Sequence, residues 1–293
     1  YSGGGINFRT NQKKVNITAG AQLQSAELKG VNNFFHQNIK QSFTDVLPDA
    51  ILQYNISPTK NLRFEYNAST TQPSIIQLQP VADVSDPLNI TIGNPNLKRA
   101  YQHNIQVNLF AANPIARKNL FGFFNFTTST DAIILSDTVK QNGAGISSYT
   151  NANGVYNIFG NLEYGFPLKK IKSRIEAGTS ITVSKNASFV NAERNNTKAF
   201  SLGPNVDYHF GIDDKIDLDI TVRLSVNHTT YSLQQFSDNN YLQQNYGVDM
   251  TNYLPWKISI HNEFNYILNT GRTDGFNTKV PLWNASLAKS ILK

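Results

Sequence analysis

The chain of 293 residues carries 26 Lys and Arg against 20 Asp and Glu, a net charge of +6, and 40% of it is hydrophobic, enough for one large domain and too much for a disordered one. It has no cysteine, which rules out a disulfide scaffold and cysteine-ligated zinc. No apolar run approaches the roughly 20 residues of a transmembrane helix, so any membrane crossing falls to strands.

The 18 Phe and 13 Tyr stand beside a polar complement made mainly of Asn, Gln, Ser and Thr, with charged residues at 16%. That mixture suits long strands with one uncharged polar face. The cations are scattered, the densest group being Lys169, Lys170 and Lys172 in an expected turn, so no nucleic-acid partner is expected. The first residues, Tyr-Ser-Gly-Gly-Gly, show neither a Met start nor a signal-peptide pattern, and the chain reads as an internal fragment.

Period-two alternation marks strands from one end to the other. In chain order the expected strands are 3-9, 15-28, 47-56, 62-71, 100-112, 120-136 and 154-166. They continue with 173-187, 198-211, 216-232, 241-254, 257-271 and 280-292, about thirteen in all. The clearest is the run in which Ile216, Leu218, Ile220, Val222, Leu224 and Val226 alternate with Asp217, Asp219, Thr221, Arg223 and Ser225. The stretch 119-136 resists the scheme, because Phe121, Phe123, Phe124 and Phe126 put rings on both faces.

Short turns, at 11-13, 57-60, 167-172, 212-215 and 255-256, alternate with longer polar loops at 72-99 and 137-153. Strands of ten or more residues, tight turns at one end and elaborated loops at the other are the pattern of an antiparallel transmembrane β-barrel wall. Beside the short turns stand Phe8, Tyr54, Phe64, Phe110, Phe121, Tyr164, Phe166, Tyr208, Phe210, Tyr253 and Trp256, expected to form an interfacial girdle.

From Thr71 to Asn104 the chain reads TQPSIIQLQPVADVSDPLNITIGNPNLKRAYQHN. With its Pro73, Gln77-Leu78-Gln79-Pro80, Ser85-Asp86-Pro87 and Gly93-Asn94-Pro95-Asn96-Leu97-Lys98, this stretch resembles the barrels of TonB-dependent outer-membrane receptors. It departs from their pattern at Arg99-Ala100, where Pro-Glu is usual. The resemblance implies a bacterial outer-membrane location and an all-β wall belonging to a plugged barrel of about 22 strands. It also implies import of a nutrient such as an iron chelate, cobalamin or a glycan. The partners implied are outer-membrane lipid, an N-terminal plug domain and a TonB-type energy transducer, with a surface lipoprotein compatible.

No catalytic constellation stands out: the five His, at 36, 103, 209, 228 and 261, share no metal-type spacing, and no phosphate loop is present. No enzyme activity, cofactor or metal is therefore expected. The lumen-lining candidates are Arg63, Glu65, Gln106, Asn108, Asp207, His209, Asp217, Asp219, Arg223, His261 and Glu263. Loop residues Asp83, Asp86, Asn94 and Asn96 are candidates for contact with an external ligand, against a structural role in turns. Two other readings stay open: a self-contained passive channel, and a soluble β-sandwich or solenoid used for adhesion or carbohydrate binding.

Overall fold

The computed structural model describes residues 2–32, 37–83, 85–86, 88–140, 143–273 and 275–291. Its strands begin with β1 (Ser2–Asn11), β2 (Val15–Asn32), β3 (Gln37–Ser57) and β4 (Lys60–Thr71). A short helix, α1 (Ile75–Leu78), precedes β5 (Ala82–Asp83), β6 (Asn89–Ile92), β7 (Ala100–Asn113) and β8 (Lys118–Thr130). Then come β9 (Ala132–Val139), β10 (Gly145–Ala152), β11 (Val155–Leu168), β12 (Ser173–Val190) and β13 (Glu193–Ile212). The last four are β14 (Ile216–Tyr231), β15 (Asn239–Leu254), β16 (Ile258–Thr270) and β17 (Thr278–Lys289).

Thirteen of these strands form one antiparallel wall in the order β1, β2, β3, β4, β7, β8, β11, β12, β13, β14, β15, β16, β17. Among the described residues β1 and β17 do not pair with each other, so the sheet is not closed. The remaining four strands belong to the long connections at one end.

Residues directly opposite in a ladder share a face, and the registers keep the two faces chemically distinct across the wall. One rung runs Tyr208, Ile220, Val248, Phe264, Trp283, and the rung beside it runs Asp207, Thr221, Gly247, Asn265. From Ile216 to Val226 the apolar face of β14 is unbroken. At about 3.3 Å per residue and a tilt of 35–45°, that run stands about 25 Å tall, the height of an outer-membrane apolar band.

The apolar face is not a core. Among the described residues the buried hydrophobic side chains are alanines, apart from Leu78 and Leu97 in the 72-99 connection. The large apolar residues of the wall lie open, Leu162 at 49% and Trp283 at 70%. A sandwich or solenoid would bury this stripe against a second layer, whereas a wall in lipid leaves it facing hydrocarbon. The soluble alternative does not fit that burial pattern.

Six short turns close one end of the wall, and the left-handed backbone at Arg117, Lys172, Asp214 and Trp256 tightens four of them. At the other end β12 and β13 rise beyond the apolar band and join through Asn191 and Ala192, both at positive φ as a type I′ hairpin turn requires.

The structure departs from the sequence expectation in three places. First, β3 begins at Gln37 rather than near residue 47, because it overshoots the apolar band, and from Lys40 to Asp45 Phe43 stands alone among polar residues with no period of two. Second, the expected strand 120-136 breaks at Asp131 into β8 and β9, and 137-153 is not a loop: β10 and the end of β9 form a ribbon there without alternation. Third, Phe110, Phe121 and Tyr253 do not join the girdle, since their registers place them opposite Asn61, Glu163 and Ser259 on the polar face. Phe8, Tyr54, Phe64, Tyr164, Phe166, Tyr208 and Phe210 do lie on the apolar face. The ambiguous rings of β8 divide cleanly, Phe124 and Phe126 outward, Phe121 and Phe123 onto the polar face with Phe123 near Phe159.

Candidate functional site

The elaborated end of the wall is organised by the 72-99 connection. Ser74 caps α1 through a reciprocal capping box with Gln77, which holds one helical turn in place. Pro73, Leu78 and Leu97 are each buried, and Gly93 lies so close to the end of α1 that a Cβ would stand 2.3 Å from the Gln79 carbonyl oxygen. The Asn94 amide donates to the Gln77 carbonyl at 2.6 Å. The connection is therefore a compact body of its own.

This body is tied to the wall on both sides. Toward β2 and β3, Ile75 lies against Gly30, and the Gln41 side-chain amide donates to the Pro95 carbonyl at 3.1 Å. The Arg99 guanidinium pairs with Asp45, donates to the Thr44 carbonyl at 3.2 Å and lies over the Phe43 ring. On the other side β6 pairs with β10, the Asn94 side chain donates to the Tyr149 carbonyl at 2.9 Å, and Asn151 exchanges hydrogen bonds with the Lys98 backbone at 2.8 and 2.9 Å.

The ribbon continues the chain of contacts. Between Asp131 and Gly154, both at positive φ, the hairpin of β8 and β11 twists until its two strands exchange sides. Below the break β11 lies beside β12; above it β9 pairs with the tip of β12 through Ser136 and Asp137. Strong twist is the habit of a two-stranded ribbon. The result is a single strap from β2 and β3, through the 72-99 body and the β9 and β10 ribbon, to β12 and β13.

The four loop candidates serve this strap. Asp83 accepts hydrogen bonds from the hydroxyl and amide of Ser85, which lower its pKa, and Asp86 accepts from the Asn89 side chain and the Leu88 amide, with the same effect. Asn94 accepts from the Asn96 amide at 2.9 Å, closing an Asx turn. Asp83, Asp86 and Asn96 remain exposed at the outer surface. His36 and Pro87 lie outside the described residues.

Every lumen candidate falls on the polar face. Arg63 pairs with Glu65 two residues along β4, opposite Asn108 and Gln106. Asp207 collects Arg223 at 3.0 Å and the Thr221 hydroxyl at 2.7 Å. His209 Nδ1 lies 2.7 Å from Asp219, and the Tyr253 hydroxyl donates to Asp217 at 2.9 Å. Glu263 accepts from the Asn265 side chain at 2.8 Å.

The registers add residues that were not singled out from the sequence. Arg174, His209, Asp219, Asp249, Glu263 and Asn284 stand in one row across six strands, with His261 Nδ1 3.3 Å from Asp249. Period two already puts Asp249 on the polar face of β15; only the register shows that it stands opposite Asp219. At mid-membrane a Lys or Arg costs about 2–4 kcal/mol against hydrocarbon and an Asp or Glu less, so this charged face is not suited to meet lipid.

An apolar belt of membrane height, a charged opposite face, six tight turns and a tied set of long loops now stand together. The outer membrane protein beta-barrel family model matches residues 2–192. The chain belongs to that family. No curated protein matches the chain. Family membership places this wall in the bacterial outer membrane; Arg63, Asp207, Asp219 and Glu263 share its polar face, opposite the apolar one.

Proposed function

We propose that this barrel wall belongs to an energy-coupled importer of the TonB-dependent receptor kind, carrying a scarce nutrient such as an iron chelate, cobalamin or a glycan. The observation that supports the reading is the 71-104 element, which resembles such receptors in sequence and folds as a compact body hydrogen-bonded to strands on both of its sides. A mouth whose loops are joined in this way can hold a ligand above a hydrated, charge-paired inner face.

In this reading the thirteen strands with unpaired edges are part of a larger barrel, since bacterial single-chain barrels use even strand numbers. A plug domain fills the lumen, a periplasmic TonB-type transducer pulls it, and a surface lipoprotein is a compatible partner at the mouth. Transport moves the nutrient without making or breaking its bonds, so the wall is assigned no catalytic residue and no cofactor.

The test is uptake by cells. Deleting the gene should abolish accumulation of one member of a labelled panel of iron chelates, cobalamin and oligosaccharides, and a protonophore should abolish it in the parent strain. Uptake that depends on the gene but ignores the protonophore would replace the importer with a passive channel.

A further inference from the structure

We infer that the short-turn mouth of the wall is a binding site for oxyanions, that is, for carboxylate or phosphate groups. The inference stands apart from the import reading, because it rests on a cavity at the opposite end from the strap. This cavity, of about 940 Å³, lies among the turns after β7, β11 and β13 and the adjoining inner-face ends of β12, β13 and β14. Its size is that of a small-molecule site.

Arg117, Lys169, Lys172, Arg174, Lys215 and His209 line it. Arg174 is neutralised by Glu176 at 2.8 Å and held by the Arg117 carbonyl at 2.9 Å, so it braces the wall of the cavity. Among the described residues the side chains of Arg117, Lys169, Lys172 and Lys215 have no ion-pair partner. They face two carboxylates in the lining, Asp213 and Asp217, and Asp217 already receives the Tyr253 hydroxyl. The cavity thus keeps an excess of unneutralised positive charge in a concave space, where walls of low dielectric concentrate the field.

The placement is not an accident of one turn. Eight of the 26 Lys and Arg of the chain stand in the six short turns and two more, Lys60 and Lys118, open the strands that follow, with only Asp213 and Asp214 to balance these ten there. The rest of the chain is therefore slightly acidic, although the whole is basic. Three separate turns deliver their cations to one cavity, and the left-handed backbone at Arg117 and Lys172 gives two of those turns a sharp reversal. Ammonium and guanidinium groups converging from several sides satisfy the several lone pairs of an oxyanion, with Arg117 offering a planar fork.

An oxyanion can reach this mouth free in the aqueous space or as the phosphate of a lipid headgroup. The full chain in phosphatidylcholine nanodiscs at low ionic strength is titrated calorimetrically with citrate and with inorganic pyrophosphate. In a second arm, nanodiscs doped with phosphatidylglycerol are examined by native mass spectrometry for retained lipid. Both arms compare the wild type with Lys169→Gln/Lys172→Gln/Lys215→Gln and with a control of equal charge, Lys13→Gln/Lys14→Gln/Lys60→Gln, in or next to turns outside the cavity; circular dichroism verifies that each folds.

Saturable binding of the free anions, weakened at least tenfold in the cavity variant and less than twofold in the control, is the expected result for a free ligand. Phosphatidylglycerol retained by wild type and control but not by the cavity variant, with the calorimetry silent, assigns the site to a headgroup. If the cavity variant and the control behave alike in both arms, the site does not exist.

Discussion

Arg99, at the end of the 72-99 connection, forms an ion pair with Asp45 of β3, whose carboxylate is almost fully buried. The residue that breaks the sequence resemblance is thus the one that fastens the strap to the wall. Arg99→Gln leaves the Asp45 charge buried without its partner. Because the guanidinium is 29% exposed, the expected weakening lies below the range for a fully buried pair, at about 2–3 kcal/mol. Proteolysis within 72-99 should then run roughly 30 to 150 times faster while the wall keeps its β signal.

Gly93 permits a second test of the same body. A methyl group there would overlap the carbonyl oxygens of Gln79, Ile76 and Gln77, at 2.3, 2.6 and 2.8 Å. Gly93→Ala should therefore free the connection from α1, visible as loss of hydrogen-exchange protection at the Asn94 amide. Gly143, at positive φ but with nothing within 4 Å, supplies the comparison: alanine there carries only the backbone cost of about 1 kcal/mol and should leave the Asn94 amide protected.

Acid should loosen the tip of the strap in a defined window. The carboxyls of Asp83 and Asp86 titrate below the ordinary Asp range, held down chiefly by the Ser85 hydroxyl and the Asn89 side chain. Their hydrogen bonds are therefore fully present above the unfolded Asp pKa, near 3.9, and are lost as pH falls through the lower folded values. Exchange at the Ser85 and Leu88 amides should be flat from pH 8 to 5, after correction for intrinsic rates, and lose protection only below about 4. Asp86→Asn should remove the acid response at Leu88 alone.

The faces of β14 predict opposite answers to one charge. Ile220→Arg puts a guanidinium on the lipid side at mid-band and should cost about 2–4 kcal/mol, measured by denaturant unfolding from lipid vesicles. Thr221→Arg, one residue along, enters the polar face beside Asp207 and should change stability by less than about 1 kcal/mol.

The wall was legible because its strands must alternate where one face meets lipid: Ile216 to Val226 could be assigned from sequence alone, and each of the thirteen expected segments overlaps a strand of the wall. The polar-face candidates followed from the same period. Where the chain leaves the membrane that constraint ends. The upper part of β3, from Lys40 to Asp45, and β10 carry polar residues on both faces and gave no signal, while the first residues of β9, Ala132 to Leu135, are apolar on both faces and merged with β8 into one expected strand, 120-136. Ser74 and Gln77 do spell a capping box, a cue for α1 within the stretch 72-99 that otherwise reads as a polar loop. Phe110 and Phe121 misled for another reason: nearness to a turn says nothing about face, and only parity within the strand separates them from Phe64 and Tyr164. The pairing of Asp219 with Asp249 and the meeting of three turns at the basic cavity depend on register, which no single segment encodes.

The central claim is that one face of this wall meets lipid and the other water. The chain has no cysteine, so single cysteines at 216 to 226 can be spin-labelled one at a time in bilayers. Labels at Ile216, Leu218, Ile220, Val222, Leu224 and Val226 should be relaxed by dissolved oxygen, and those at Asp217, Asp219, Thr221, Arg223 and Ser225 by a water-soluble nickel reagent. Accessibility without that period of two, whether both sets are shielded together or both open to the aqueous reagent, would contradict it.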